Sequence, residues 1–264
     1  MRHSRAARER TRRHVDPGPL PGSSPGPLPA CSPLLREASA FIFDVEGTLV
    51  DAVMSTLRCW RETLDEFGHP VWLVDLHRYA GMDGGEMLEK LLPQSVPKVL
   101  KQDILDRQGK RYRHDYLPAV QAFPGVRGLF EYLKAQGCRI ALGTDCQKDE
   151  LDYYLDRANI RDLIDAIGCG NDVKHGKPHP DIFELARKRL KVRARDSIVC
   201  VGDTPYDAAA ARAAGMPAVG VLTGHFAAHD LLASGCLAAF RDPRALLQNL
   251  KACREPHTEL AEAS

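Results

Sequence analysis

Residues able to carry charge or bind oxygen recur in this chain just after short apolar runs. Asp44 and Glu46 follow Ala40-Phe41-Ile42-Phe43, in Asp44-Val45-Glu46-Gly47-Thr48. Thr144 and Asp145 follow Arg139-Ile140-Ala141-Leu142-Gly143, and Asp203 and Asp207 follow Ser197-Ile198-Val199-Cys200-Val201-Gly202. Lys177 stands between them in Gly176-Lys177-Pro178-His179-Pro180-Asp181. Carboxylates gathered in one place repel each other unless a cation lies between them, and their hard oxygens suit Mg²⁺. With Mg²⁺ completed by waters and a phosphate, Lys177 and Thr144 are left to hold the remaining phosphate oxygens. Such a set supports phosphoryl transfer.

These residues converge only if the elements before them lie side by side. The runs at Ala40–Phe43, Arg139–Leu142, Ser197–Val201 and Ala218–Val221 lack alternation, as strands buried on both faces of a parallel sheet do. A weaker run lies near Ala166-Ile167. Between them come helical segments: Gly125–Gln136 closed by Gly137, Lys148–Ala158, Pro180–Leu190, and Tyr206–Ala214 closed by Gly215. Alternating strands and helices predict an α/β, Rossmann-like parallel sheet, whose ligands bind beyond the carboxyl ends of the strands. From Val53 to Leu117 only helical periodicity is present, which predicts an α-helical insert directly after the first strand. The Trp60/Leu64/Phe67 stripe in it reads as core.

Asp44-Val45-Glu46-Gly47-Thr48, then Thr144, Lys177 and Gly202-Asp203-x-x-x-Asp207, resemble the four ordered motifs of the haloacid dehalogenase (HAD) superfamily over residues 39 to about 250. The helical insert is similar to a C1-type cap, as in phosphoglycolate-phosphatase-like members. The resemblance implies that Asp44 is a nucleophile forming an aspartyl-phosphate and that Glu46 is the acid and base. It also implies that Thr144 hydrogen-bonds the phosphoryl group and that Lys177 neutralises nucleophile and phosphate. Asp203 is then the direct Mg²⁺ ligand, alongside Asp44 and the Glu46 carbonyl, and Asp207 acts through water or by orienting Lys177. Glu46 departs from the Asp usual there, displacing the carboxyl by about 1 Å, a misplacement that can cost about a hundredfold in rate. Asp145, beside Thr144, adds negative charge at the phosphate site. In the glycine-rich Tyr79–Gly85 segment, Arg78, Met82 and Asp83 are candidates for facing the substrate.

The expected layout is a basic tail over 1–35, a HAD-like core over 36–52 and 118–254, a helical cap over 53–117 and a C-terminal tail over 255–264. The expected activity is Mg²⁺-dependent hydrolysis of a small phosphorylated metabolite, phosphoglycolate-phosphatase-like. The same core also serves a phosphomutase, a dehalogenase, a phosphonatase (Lys90 its only candidate cap lysine) or a weakly active phospho-ligand binder. Of 264 residues, 44% are hydrophobic and 27% charged, which excludes a wholly disordered chain. No apolar run is long enough to span a membrane. The net charge of +1 argues against nucleic acid as a partner, although six arginines give residues 1–35 a charge of +4 and leave −3 on the remainder. That arginine-rich start is followed by proline, glycine and serine, without the apolar stretch of a secretory signal, and is expected to be disordered. Eight cysteines without ligand-like spacing predict buried thiols in a reducing, cytoplasmic setting rather than a zinc site. His175 and His179, beside Lys177, read as solvated loop residues. Oligomeric state is not encoded legibly.

Overall fold

The computed structural model describes residues 32–192 and 197–254. Six strands form one parallel sheet in the order β3-β2-β1-β4-β5-β6. They are β1 (Ala40–Phe43), β2 (Arg139–Gly143), β3 (Ala166–Gly168), β4 (Ile198–Gly202), β5 (Ala218–Val221) and β6 (Cys236–Phe240). β1 lies at the centre, paired with β2 on one side and β4 on the other, and all four of its residues are buried. Every residue alternates faces along a strand, so Phe41 and Phe43 enter one core layer while Ala40 and Ile42 enter the other.

The first layer is closed by α6 (Val126–Ala135), α7 (Lys148–Ala158) and α11 (Pro243–Arg254), which contribute Phe130, Leu151 and Leu250. The second is closed by α8 (Asp181–Leu190), α9 (Pro205–Ala213) and α10 (Ala228–Ser234), with Phe183, Ala210 and Leu231. Burying each large side chain contributes about 1.5–3 kcal/mol. The short helix α1 (Pro33–Glu37) begins inside the segment expected to be a tail. Leu35 holds it there, buried in the first layer, and the Arg254 guanidinium donates to the Leu35 and Ala38 carbonyls. The remainder of the expected tail, 1–31, and the C-terminal 255–264 lie outside the described residues.

Between β1 and β2 the chain is helical, as expected: α2 (Val53–Glu66), α3 (Leu73–His77), α4 (Gly84–Leu91) and α5 (Lys98–Arg111). These helices have a core of their own, in which Trp60, Leu64, Leu76, Leu88 and Ile104 are buried. One π-helical turn, Tyr112–Tyr116, continues α5 back toward the sheet. β6 is the element the apolar runs did not indicate. It is an edge strand with buried and exposed positions in alternation, including Leu237 at 54% exposure. The seven described cysteines are all buried and none forms a disulfide, and no described helix is long and apolar enough to cross a membrane.

Candidate active site

The carboxyl ends of β1, β2 and β4 meet at one buried centre. Asp44 leaves β1, and its backbone N–H donates to Val201 of β4 at 2.8 Å. Asp44, Asp203 and Asp207 are buried, with carboxylate oxygens within 4.8 Å of one another. Among the described residues, the ammonium placed against them is that of Lys177, itself 2% exposed. Its Nζ bonds Asp44 Oδ1 and reaches Asp207 Oδ1 at 2.8 Å. The Phe183 ring lies 5.2 Å beneath it.

Each carboxylate is held differently. Asp207 caps α9 reciprocally with Thr204: the Thr204 N–H and hydroxyl donate to Asp207 Oδ2 at 3.1 and 2.7 Å, and the Asp207 N–H donates to Thr204 Oγ1 at 3.2 Å. The cap occupies Oδ2 and leaves Oδ1 facing the Lys177 ammonium at 2.8 Å, which favours the Lys177-orienting alternative. Asp203 Oδ1 accepts from the Thr48 hydroxyl at 2.7 Å, while Oδ2 is buried without a hydrogen-bond partner. Gly47, at φ +83°, and Gly224 line that oxygen so closely that a Cβ on either would sit 2.2 or 2.0 Å from it. An orphaned, fully buried carboxylate oxygen in a cradle only glycine permits fits a hard cation. Formally three carboxylates and one ammonium leave −2, which a divalent ion would neutralise.

The titration tendencies agree. Burial raises Asp44 to about 6, with Asp207 adding to the rise and Lys177 opposing it. Burial, then repulsion from Asp44 and Asp207, pushes Asp203 well above the carboxylate range. Burial also opposes the charge on Lys177, but Asp207, Asp44 and Asp145 outweigh it and hold the ammonium protonated.

Glu46 belongs to a different environment. It is half-buried and lines a cleft of about 500 Å³ between the sheet and the helical insert. The Tyr154 hydroxyl donates to Glu46 Oε1 at 2.9 Å, and the hydroxyls of Tyr112 and Tyr154 lie 2.6 Å apart. Enclosure, followed by the nearby Glu150, raises the Glu46 carboxyl to about 8, although donation from Tyr154 pulls the other way. Neither tyrosine was indicated by motif, since residue 154 is 108 positions from Glu46 in sequence.

The remaining candidates separate. Thr144 is buried at the end of β2, and its Oγ1 accepts from the Cys146 N–H at 3.3 Å. Asp145 accepts from the Lys177 N–H at 3.1 Å, tying the lysine loop to the end of β2. Met82 and Asp83 line the cleft; Asp83 also caps α4 by accepting from the Glu86 N–H at 3.0 Å. Arg78 does not line the cleft. Its side chain is 74% exposed and faces Asp75 at 3.8 Å, and only its carbonyl joins the two parts, accepting from the Tyr206 hydroxyl. Lys90 is exposed and absent from the cleft wall, which removes the phosphonatase candidate. His175 and His179 face Asp181 and Glu86 at 3.3 and 3.4 Å and are roughly half-exposed.

Comparison with known proteins follows the same lines. The family model for haloacid dehalogenase-like hydrolases matches residues 41–221. A phosphorylated carbohydrates phosphatase of Thermotoga maritima is 28% identical, over 80% of this chain and 98% of its own. A phosphoglycolate phosphatase of Colwellia psychrerythraea is 27% identical, over 82% of this chain and 99% of its own. A crystal structure of a hydrolase from Pseudomonas syringae superposes with a TM-score of 0.75 at 29% identity, covering 82% of this chain and all of that one.

Proposed function

This chain belongs to the haloacid dehalogenase-like hydrolases, and we propose that it is a Mg²⁺-dependent phosphatase that works through an aspartyl-phosphate on Asp44. The observation that carries the reading is the buried group of Asp44, Asp203 and Asp207 with the buried Lys177 ammonium against Asp44 and Asp207. Asp44, Asp203 and the Glu46 carbonyl would hold the metal, which supplies positive charge to the phosphoryl oxygens when bound.

The protein's own groups account for the rest. An Asp44 carboxylate oxygen attacks phosphorus and the bond to the leaving oxygen breaks, while the Glu46 carboxyl passes its proton to that oxygen. Lys177 and the Thr144 hydroxyl hold phosphoryl oxygens, and Asp207 keeps the ammonium in place. Glu46, now a carboxylate, takes a proton from water as that water attacks phosphorus. The bond from phosphorus to Asp44 breaks, giving phosphate and restoring both carboxyl groups. A Glu46 carboxyl raised to about 8 is protonated at neutral pH, as the first step requires.

The cleft narrows the leaving alcohol. Its wall carries the carboxyls of Asp83, Asp106, Asp145 and Glu150, with the protonated Glu46 beside them, against one cation among the described residues, Arg113. That guanidinium is already engaged by Asp149 at 3.5 Å and Glu150 at 3.4 Å. A leaving group bearing its own carboxylate meets like charge there. An uncharged hydroxyl-rich alcohol does not, so this wall favours a phosphorylated carbohydrate over phosphoglycolate. The test is phosphate release over a metabolite panel, with and without Mg²⁺, for the wild-type protein and Asp44→Asn. Mg²⁺-dependent release, lost in the variant and faster with sugar phosphates than with phosphoglycolate, supports the reading. Release unchanged by Asp44→Asn contradicts it.

A further inference from the structure

Glu46 is one methylene longer than the aspartate usual at its position. The added bond gives the acid a further torsion to order and a different reach. A proton donor that is loose by 1 Å transfers poorly, so something must hold this carboxyl. The described contacts offer one holder. Tyr154, from α7, is fully buried and donates to Glu46 Oε1 at 2.9 Å. A phenol has a single proton, so the 2.6 Å contact between Tyr154 and Tyr112 runs the other way, with Tyr112 donating and Tyr154 accepting. Tyr112 is buried too and opens the π-helical turn by which the insert returns to the sheet. Such turns often mark functional sites.

We propose that Tyr154 is the positioning residue for Glu46, and that Tyr112 orients Tyr154 from the helix returning from the insert. Tyr154 fixes Oε1 as a hydrogen-bond acceptor, which leaves Oε2 to carry the proton that moves to the leaving oxygen and later returns from water. Tyr154 keeps its own proton throughout. The two phenols act as a rigid strut behind the longer side chain, and the strut links the acid to the insert that covers the substrate. Among the described contacts, neither hydroxyl touches Lys177 or the carboxylates of Asp44, Asp203 and Asp207. Their loss is therefore expected to weaken proton donation while sparing phosphoryl binding.

The inference rests on the phosphatase reading, and its test separates the two. Benzyl phosphate and p-nitrophenyl phosphate are of similar size, but the first leaves as a poor alkoxide that needs protonation and the second as a stable phenolate. kcat/KM reports the step in which the ester bond breaks. Tyr154→Phe should lower kcat/KM for benzyl phosphate about tenfold or more, and for p-nitrophenyl phosphate less than about threefold. Tyr112→Phe should act in the same direction but less. In a Glu46→Gln background, with no proton to donate, Tyr154→Phe should add no further leaving-group selectivity. Equal losses with both esters, or the same selective loss without Glu46, would overturn the proposal. Absence of wild-type turnover counts against the phosphatase reading alone. The strut is then read by denaturation of Tyr154→Phe, Glu46→Ala and the double variant: non-additive losses support the contact, and additive losses overturn it.

Discussion

The site has two halves built on opposite principles. On the β4 side, charge is concentrated: Asp44, Asp203 and Asp207 share one buried ammonium, and Asp203 Oδ2 is left without a partner. On the α7 side, charge is dispersed into a chain of hydroxyls, where Glu46 meets Tyr154, Tyr154 meets Tyr112, and the charge acting most strongly on Glu46 is another carboxyl, Glu150. The first arrangement binds cations and anions strongly and holds them still. The second keeps a carboxyl protonated and able to release that proton. Phosphoryl transfer needs both, and one short loop, Asp44-Val45-Glu46, places a residue in each.

Changes on either side should therefore fail differently. The largest effect is expected from Lys177→Met, which removes the buried ammonium paired with Asp44 and Asp207. Turnover should fall to background, and denaturation without divalent cation should show a loss of about 3–5 kcal/mol. Glu46→Gln comes next. Its turnover of alkyl phosphates should drop by about 10²–10⁴-fold while the Mg²⁺ concentration for half-maximal activity stays within about threefold. Thr48→Val is smaller and opposite in kind: loss of the 2.7 Å donation to Asp203 should weaken Mg²⁺ by about 10–100-fold, with turnover at saturating Mg²⁺ largely kept. A Mg²⁺ titration of both variants tests the division, which collapses if Glu46→Gln shifts metal dependence as much as Thr48→Val does. Removal of residues 1–31 should change kcat/KM by less than about twofold, because both halves draw on residues after Asp44; a larger loss would show that the basic segment takes part.

The charged half was legible in sequence because its residues sit at strand ends. A fully buried strand such as Phe41-Ile42-Phe43 is recognisable as a continuous apolar run, and the residue after it is the one delivered to the crevice. Sequence could not choose between two uses of Asp207; the capping pattern with Thr204 favours one. The hydroxyl half was illegible for the opposite reason. Tyr112 and Tyr154 come from separate helices and resemble ordinary core aromatics, with contacts formed only across 42 and 108 positions of chain. The direction of Arg78 was not legible either, since nearness to the Gly81 turn says nothing about it; the end of α3 aims its side chain at Asp75 and solvent. β6 escaped because an edge strand with alternating exposure and three small or aliphatic residues, Leu237-Ala238-Ala239, has no distinctive pattern at that length.

The central claim is that Asp44 carries the phosphoryl group between substrate and water. Rapid acid quenching during turnover with Mg²⁺, followed by peptide mass spectrometry, reads it directly. The account predicts one added phosphoryl group on the peptide containing Asp44, localised to that side chain and absent from Asp44→Asn. Sustained phosphate release with Asp44 unmodified, or with the phosphoryl group on another residue, would contradict it.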